Sequence, residues 1–253
     1  MAGAHRHLLV HAHSPIHALA PEAKIAATFL FVVGVAVTPR EAVWAFAVDG
    51  LVILVLLAVA GYGLRQALAR LAAVLPFITF AFLVPFVSSG ERVDVLWFSV
   101  SRDGLWAAWN IIVKAVLGTG ASLVLAGTTP IPEVVRGLGR LRVPAVVVSI
   151  VSFMFRYLDL IVDEMGRMRT AMVSRAHDPR WLWQAKPIAS AAGAMFVRSY
   201  ERGERVHAAM LARGFSGTMP ELEHRRAGAR DWTWCLLVPV VSISAAVAGF
   251  ALT

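Results

Sequence analysis

Cysteine occurs once in this chain, at Cys235, so no internal disulfide can form and cysteine usage says nothing about redox compartment. No Gly-Lys-Ser/Thr loop is present, which excludes nucleotide binding by a phosphate-cradling loop. No Cys/His spacing suits zinc, and no serine sits in a nucleophile elbow. Gly61-Tyr62-Gly63 lies between apolar segments and reads as a turn. The first twenty residues are polar and histidine-rich and lack the continuous apolar core of a cleavable signal peptide. The chain is therefore expected to enter a membrane through its own helices, leaving its N-terminus in the cytoplasm. Charge is scarce as well: 16% of residues are Asp, Glu, Lys or Arg, against 58% hydrophobic. That balance excludes an ordinary soluble domain and points to an all-α integral membrane protein.

Five apolar stretches approach the roughly 20 residues that a helix needs to cross the hydrocarbon core. They are Ile25–Thr38, Ala42–Ala60, Leu71–Val87, Gly104–Gly127 and Trp232–Leu252. Pro39-Arg40-Glu41 turns the first pair into a tight helical hairpin, and Pro76 and Pro85 interrupt the third. The layout is thus an N-terminal cytoplasmic segment (1–24), helices 1–4 (25–128), a basic cytoplasmic region (129–230) and helix 5 (231–253).

Charge orients this layout. Between Thr129 and Arg230 there are sixteen Lys/Arg against nine Asp/Glu, and Arg65 and Arg70 make another loop basic. The remaining loops are nearly balanced, so the positive-inside rule puts the N-terminus and the 129–230 region in the cytoplasm. Trp232 and Trp234 then fall at the inner interface. The net charge of +8 needs no nucleic acid to explain it. Within 129–230, the run Ala145–Phe155 is short for a crossing and is expected to lie against the membrane or under the other helices. One long helix is predicted from Pro144 to Ala176, stopped by His177-Asp178-Pro179, and a second from Pro187 to Arg213, stopped by Gly214.

The two helices carry a repeat. Ala171-Met172-Val173-Ser174-Arg175-Ala176 returns thirty-eight positions later as Ala209-Met210-Leu211-Ala212-Arg213-Gly214. Asp163 with Arg167, and Glu201 with Arg205, have the same offset and the i,i+4 spacing of exposed helical ion pairs. An arginine in the last turn followed by a small residue is an ordinary helix ending. Helix stopping does not require the same methionine one turn earlier, however. Small residues on both sides let each tip approach another backbone, with the guanidinium fork free to bond carboxylates or carbonyls. Met172 and Met210 would add adaptable apolar contact.

At these residues the chain resembles the transmembrane coupling subunit, or T component, of energy-coupling factor importers, most of all the cobalt-type subunit CbiQ. Ser174-Arg175-Ala176 and Ala212-Arg213-Gly214 match the family's two small–Arg–small motifs. Tyr200-Glu201-Arg202-Gly203-Glu204-Arg205 leading into Ala209–Phe215 is similar to the family as well. So is Ser14–Lys24, although Ala20 and Glu22 depart from the family's usual Asp-Pro-Arg, and no function is assigned to that stretch. The resemblance implies a non-catalytic subunit of a multi-pass bacterial inner-membrane complex. Two ATPase subunits carrying the ATP would each receive one arginine tip. A substrate-binding membrane subunit, with room for a small accessory one, would be held by the spanning helices. Cobalt(II) is the implied cargo; nickel, biotin or another vitamin stays open. No cofactor and no nucleic acid are expected on this chain, and lipid is its surroundings.

His5, His7, His11, His13 and His17 could bind a transition metal, yet they have no acidic or thiol partner and no scaffold, so no metal site is assigned. Asp49 and Lys114 lie near the middle of predicted spanning segments, placed to pair across two helices or to meet a neighbouring subunit. A conventional ABC permease lining its own path would need one coupling helix per ATPase, and two motifs in one chain argue against it. A membrane-embedded lipid-processing enzyme would need acidic or histidine residues gathered at one membrane face. Here they are scattered or spaced to pair with arginine.

Overall fold

Pro21 opens the first helix because its missing N–H falls among the amides that have no partner at a helix start. Helix α1 (Pro21–Val37) ends where Pro39 blocks continuation, and α2 (Val43–Val59) follows after a short turn. The computed structural model describes residues 14–88, 92–95, 98–176, 186–217 and 227–252. His5, His7, His11 and His13 lie outside them. The chain divides into two compact units, one of residues 5–141 with 225–253 and one of 142–224.

In the larger unit, α3 (Leu64–Leu71) and a 3-10 turn (Ala72–Val74) precede α4 (Leu75–Val87). The expected single segment from Leu71 is thus broken. Pro76 cannot donate to Ala72 and its ring crowds that carbonyl, so the helix restarts at Leu75. A hairpin of β1 (Arg92–Val95) and β2 (Phe98–Ser101), with Arg92 opposite Ser101, is the one strand pairing among the described residues. The sequence reading did not anticipate it. Ser101 accepts the Gly104 N–H at 3.4 Å and starts α5 (Arg102–Thr128). Helix α6 (Ile131–Arg140), also unanticipated, packs on α1; α9 (Ala229–Leu252) packs on α1 and α2.

Phe31, Phe46, Ile53, Leu57 and Leu117 form the main core of this unit. Ala23, Ala27, Ala45, Ala121 and Ala245 line the helix contacts. In lipid, where outward-facing Phe29, Leu51 and Phe82 meet a medium as apolar as themselves, close approach over small residues replaces the hydrophobic effect as the source of helix association.

Glu22 anchors the N-terminal end of α1 and is only 5% exposed. Its carboxylate accepts from Arg140 Nη1 at 3.3 and 3.4 Å and from the Ala227 N–H at 2.7 Å. A β-carbon on Gly137 would come within 2.8 Å of Ile25 Cδ1 and 3.1 Å of the Glu22 nitrogen, so a side chain there would push α6 from its close seat on α1 or force Ile25 to move.

The smaller unit consists of α7 (Ala145–Ser174) and α8 (Lys186–Ala212). By length and composition, three helical stretches among the described residues could cross a membrane: Arg102–Thr128, Ala145–Ser174 and Ala229–Ala251. The second corrects the expectation that the apolar run of α7 is too short. It continues past Arg156 and Asp159 through Leu158, Leu160, Ile161 and Val162, and the best 18-residue window averages 2.0 in hydropathy. Length alone therefore does not keep α7 out of the bilayer.

Candidate functional site

The repeat in sequence is a repeat in backbone. Ser174 is the last residue of α7 and Ala212 the last of α8. One position on, the Arg175 N–H donates to Met172 O at 3.1 Å and the Arg213 N–H to Met210 O at 3.0 Å. Next, Ala176 donates to Val173 O at 2.9 Å and Gly214 to Leu211 O at 3.0 Å. Both of these residues turn left-handed, with φ 59° at Ala176 and 81° at Gly214. Glycine takes that conformation without a steric penalty; alanine does so at a cost of about 1 kcal/mol. The first tip holds its shape against that cost.

At each tip the arginine and its two small neighbours are exposed, and the methionine one turn back is half-buried. The main-chain oxygens of Met172 and Met210 accept the arginine amides, a bond that any residue there would make, so what the recurrent methionine adds is its half-buried side chain. Neither Arg175 nor Arg213 has an ion-pair partner among the described residues. What each tip offers is an uncommitted guanidinium on a short, closely approachable end, suited to forked recognition of carboxylates or carbonyls.

The two helices meet at a residue the sequence reading passed over. Glu164 on α7 accepts from Arg198 at 3.2 Å and from Arg202 at 3.3 Å, both on α8. The hydrogen bond from Arg198, and then that from Arg202, hold its carboxyl below the usual carboxylate range. A signal existed: Glu164 and Arg202 are thirty-eight apart, equivalent places of the repeat carrying opposite charge. Of the two expected i,i+4 bridges, Glu201–Arg205 is present at 3.8 Å, and Asp163 with Arg167 is not among the ion pairs of the described residues. Beside the crossing, Phe153, Tyr157, Ile161, Val206 and Met210 line an apolar groove.

Asp49 and Lys114 do not pair. Lys114 Nζ donates to Ala36 O at 2.7 Å, at the C-terminal end of α1, where helix carbonyls have no intrahelical donor. Asp49 is fully buried on α2 beside Ser242 of α9, and neither side chain reaches hydrogen-bond geometry with any partner. The expectation failed because the negative end of α1 competes for the lysine, and that acceptor has no residue letter.

Residues 12–224 match the cobalt transport protein family CbiQ. Among individual relatives, the chain is 29% identical over 150 residues to a cobalt transport protein CbiQ of Rhodobacter capsulatus, covering 56% of this chain and 60% of that one. It is 23% identical over 218 residues to the energy-coupling factor transporter transmembrane protein EcfT of Thermotoga maritima, covering 82% and 79%. A protein of Methanocaldococcus jannaschii is 26% identical over 152 residues, covering 59% and 56%. The chain thus spans little more than half the length of that archaeal relative and of the Rhodobacter protein. With the match running over residues 12–224, a range that holds both arginine tips, the chain belongs to the CbiQ cobalt transport protein family.

Proposed function

We propose that this protein is the coupling subunit of an energy-coupling factor importer carrying cobalt(II), and that Arg175 and Arg213 are where ATP-driven force enters it. The observation that carries the reading is the paired geometry of the tips: the same arginine, the same methionine carbonyl as acceptor and the same left-handed turn, thirty-eight residues apart. Two equivalent tips call for two equivalent receptors, and a pair of ATPase subunits supplies them. Each guanidinium lodges in one ATPase. Closure of the pair around ATP displaces one tip relative to the other, and the crossing held by Glu164 converts that displacement into a change of angle between α7 and α8. The spanning helices pass it to a membrane subunit that captures the metal, with a small accessory subunit beside it.

In this reading the chain does no chemistry. It lies in the bacterial inner membrane with its N-terminus and both tips in the cytoplasm, on the side where ATP is available. The excess of Lys/Arg in residues 129–230 supports that orientation. Cobalt as the cargo rests on the family and on the name of the Rhodobacter relative.

The test is cobalt uptake and ATP hydrolysis by the complete complex in liposomes, comparing wild type with Arg175→Ala, Arg213→Ala and the double variant. Loss of uptake, with normal membrane insertion and weakened ATPase retention, is expected. Full activity in the double variant reduces both tips to helix endings and overturns the reading.

A further inference from the structure

The chain leaves the membrane-embedded unit after Leu141 and returns to it at Arg225, and both attachments are tied to one carboxylate. Arg140, the last residue of α6, stands immediately before the exit; Ala227 stands two residues inside the return and two before α9. Both donate to Glu22 at the start of α1. The side chains of Glu22 and Arg140 are only 6% and 14% exposed, so water does not readily replace either partner. Gly137 brings α6 against the backbone of Pro21 and Glu22 next to this point, and α1 in turn packs along α9.

We infer that Glu22 is a positioning residue for force transmission: its carboxylate makes the exit after α6 and the return before α9 act as one rigid fixture on α1. This rests on the coupling-subunit reading. The physical reason is a series-spring argument. Motion imposed on residues 142–224 reaches the membrane unit in part through its two covalent connections. A connection able to extend absorbs the displacement locally. Holding Arg140 and Ala227 to the same carboxylate removes the give between these two ends and α1, so load arriving at them is delivered to α1, α6 and α9 as a group.

The experiment uses the complete complex in liposomes and reads cobalt taken up per ATP hydrolysed, alongside ATPase retention and thermal stability in detergent. Glu22→Ala is expected to lower the uptake-to-hydrolysis ratio about tenfold, in the range by which residues remote from both ligands modulate coupling. ATPase retention and hydrolysis rate stay as in wild type. Glu22→Gln, which can still accept from Ala227, falls between the two, and Arg140→Gln behaves like it. A wild-type ratio in Glu22→Ala overturns the inference. So does a parallel fall in uptake and hydrolysis at constant ratio, because a merely structural role does that. If Glu22→Ala does not accumulate in the membrane, Arg140→Gln decides on the same ratio. Arg175→Ala and Arg213→Ala run beside these: if they retain and couple both ATPases, the coupling-subunit reading itself fails, whatever Glu22 does.

Discussion

Lys114 Nζ lies 2.7 Å from the main-chain oxygen of Ala36, and Lys24 Nζ lies 3.2 Å from that of Thr128. Each lysine sits on one of two antiparallel helices, α1 and α5, and closes the C-terminal end of the other. Lys24 adds Thr129 Oγ1 at 3.2 Å. A helix C-terminus carries about half a negative charge, so both ammonium groups find a hydrogen-bond partner in a helix end and not in a carboxylate.

Removing either cap leaves carbonyls without a donor. Lys24→Met is expected to destabilise the membrane unit by roughly 2 kcal/mol, the cost of a buried acceptor left unsatisfied. Lys114→Met costs less, since Lys114 is half-buried and Lys24 is only 6% exposed. Denaturant unfolding in detergent gives the ordering. In the same assay, a double-mutant cycle of Asp49→Asn with Lys114→Met should return a coupling energy under about 0.5 kcal/mol, as for non-interacting sites. A larger coupling would restore the ion pair that the geometry excludes.

The left-handed residues at the two tips allow a stability test that leaves both arginines in place. Ala176→Gly relieves the strain at φ 59° and is expected to stabilise the end of α7 by about 1 kcal/mol, while Gly214→Ala destabilises the end of α8 by a similar amount. Hydrogen exchange at the amides of Arg175 and Ala176 should slow about fivefold in Ala176→Gly, and those of Arg213 and Gly214 should quicken in Gly214→Ala. Unchanged exchange in both variants would mean that the tips do not hold this turn in solution.

The crossing of α7 and α8 should depend on pH in one direction. Hydrogen bonds from Arg198 and Arg202 depress the Glu164 pKa below its ordinary 4.5. A depressed carboxyl binds protons more readily when unfolded, so its contribution is fully present above about pH 4.5 and is lost as pH falls through the lower folded value. Spin labels on the two helices should report a constant separation from neutral pH down to the ordinary carboxylate value and a broadening below it. Glu164→Gln should show the broadened state at neutral pH; a tight distance there would remove Glu164 as the link.

How far the sequence discloses these features depends on whether the partner is local. The ends of α7 and α8 could be read within two residues, because Arg175-Ala176 and Arg213-Gly214 are stop signals contained in a few positions and repeated. Pro76 signals the break before α4, because its missing N–H and its ring bar the α-helical turn at Ala72–Val74. Glu22 could not be read at all: its partners lie 118 and 205 positions away, and one of them is a main-chain amide. Lys114 misled for a related reason, its acceptor being a carbonyl of Ala36. Contacts to backbone at long range leave no pattern in residue type.

The sharpest test of the tips keeps their charge. Lysine at position 175 or 213 preserves the favourable interaction with the helix dipole and has a helix propensity close to that of arginine. If the arginines serve only to finish α7 and α8, Arg175→Lys and Arg213→Lys should be silent in both stability and transport. Forked recognition of a carboxylate or of paired carbonyls requires the planar guanidinium, which an ammonium point charge does not reproduce. We therefore expect each lysine variant to fold and insert normally yet retain its ATPase about tenfold more weakly, equivalent to the 1.4 kcal/mol of one lost charge-assisted bond. If each tip engages a separate subunit, as proposed, the double variant should lose roughly the sum of the two effects, because distant sites add. Size-exclusion chromatography of the detergent-solubilised complex measures this directly. Full retention by the double lysine variant would show that charge without fork geometry suffices.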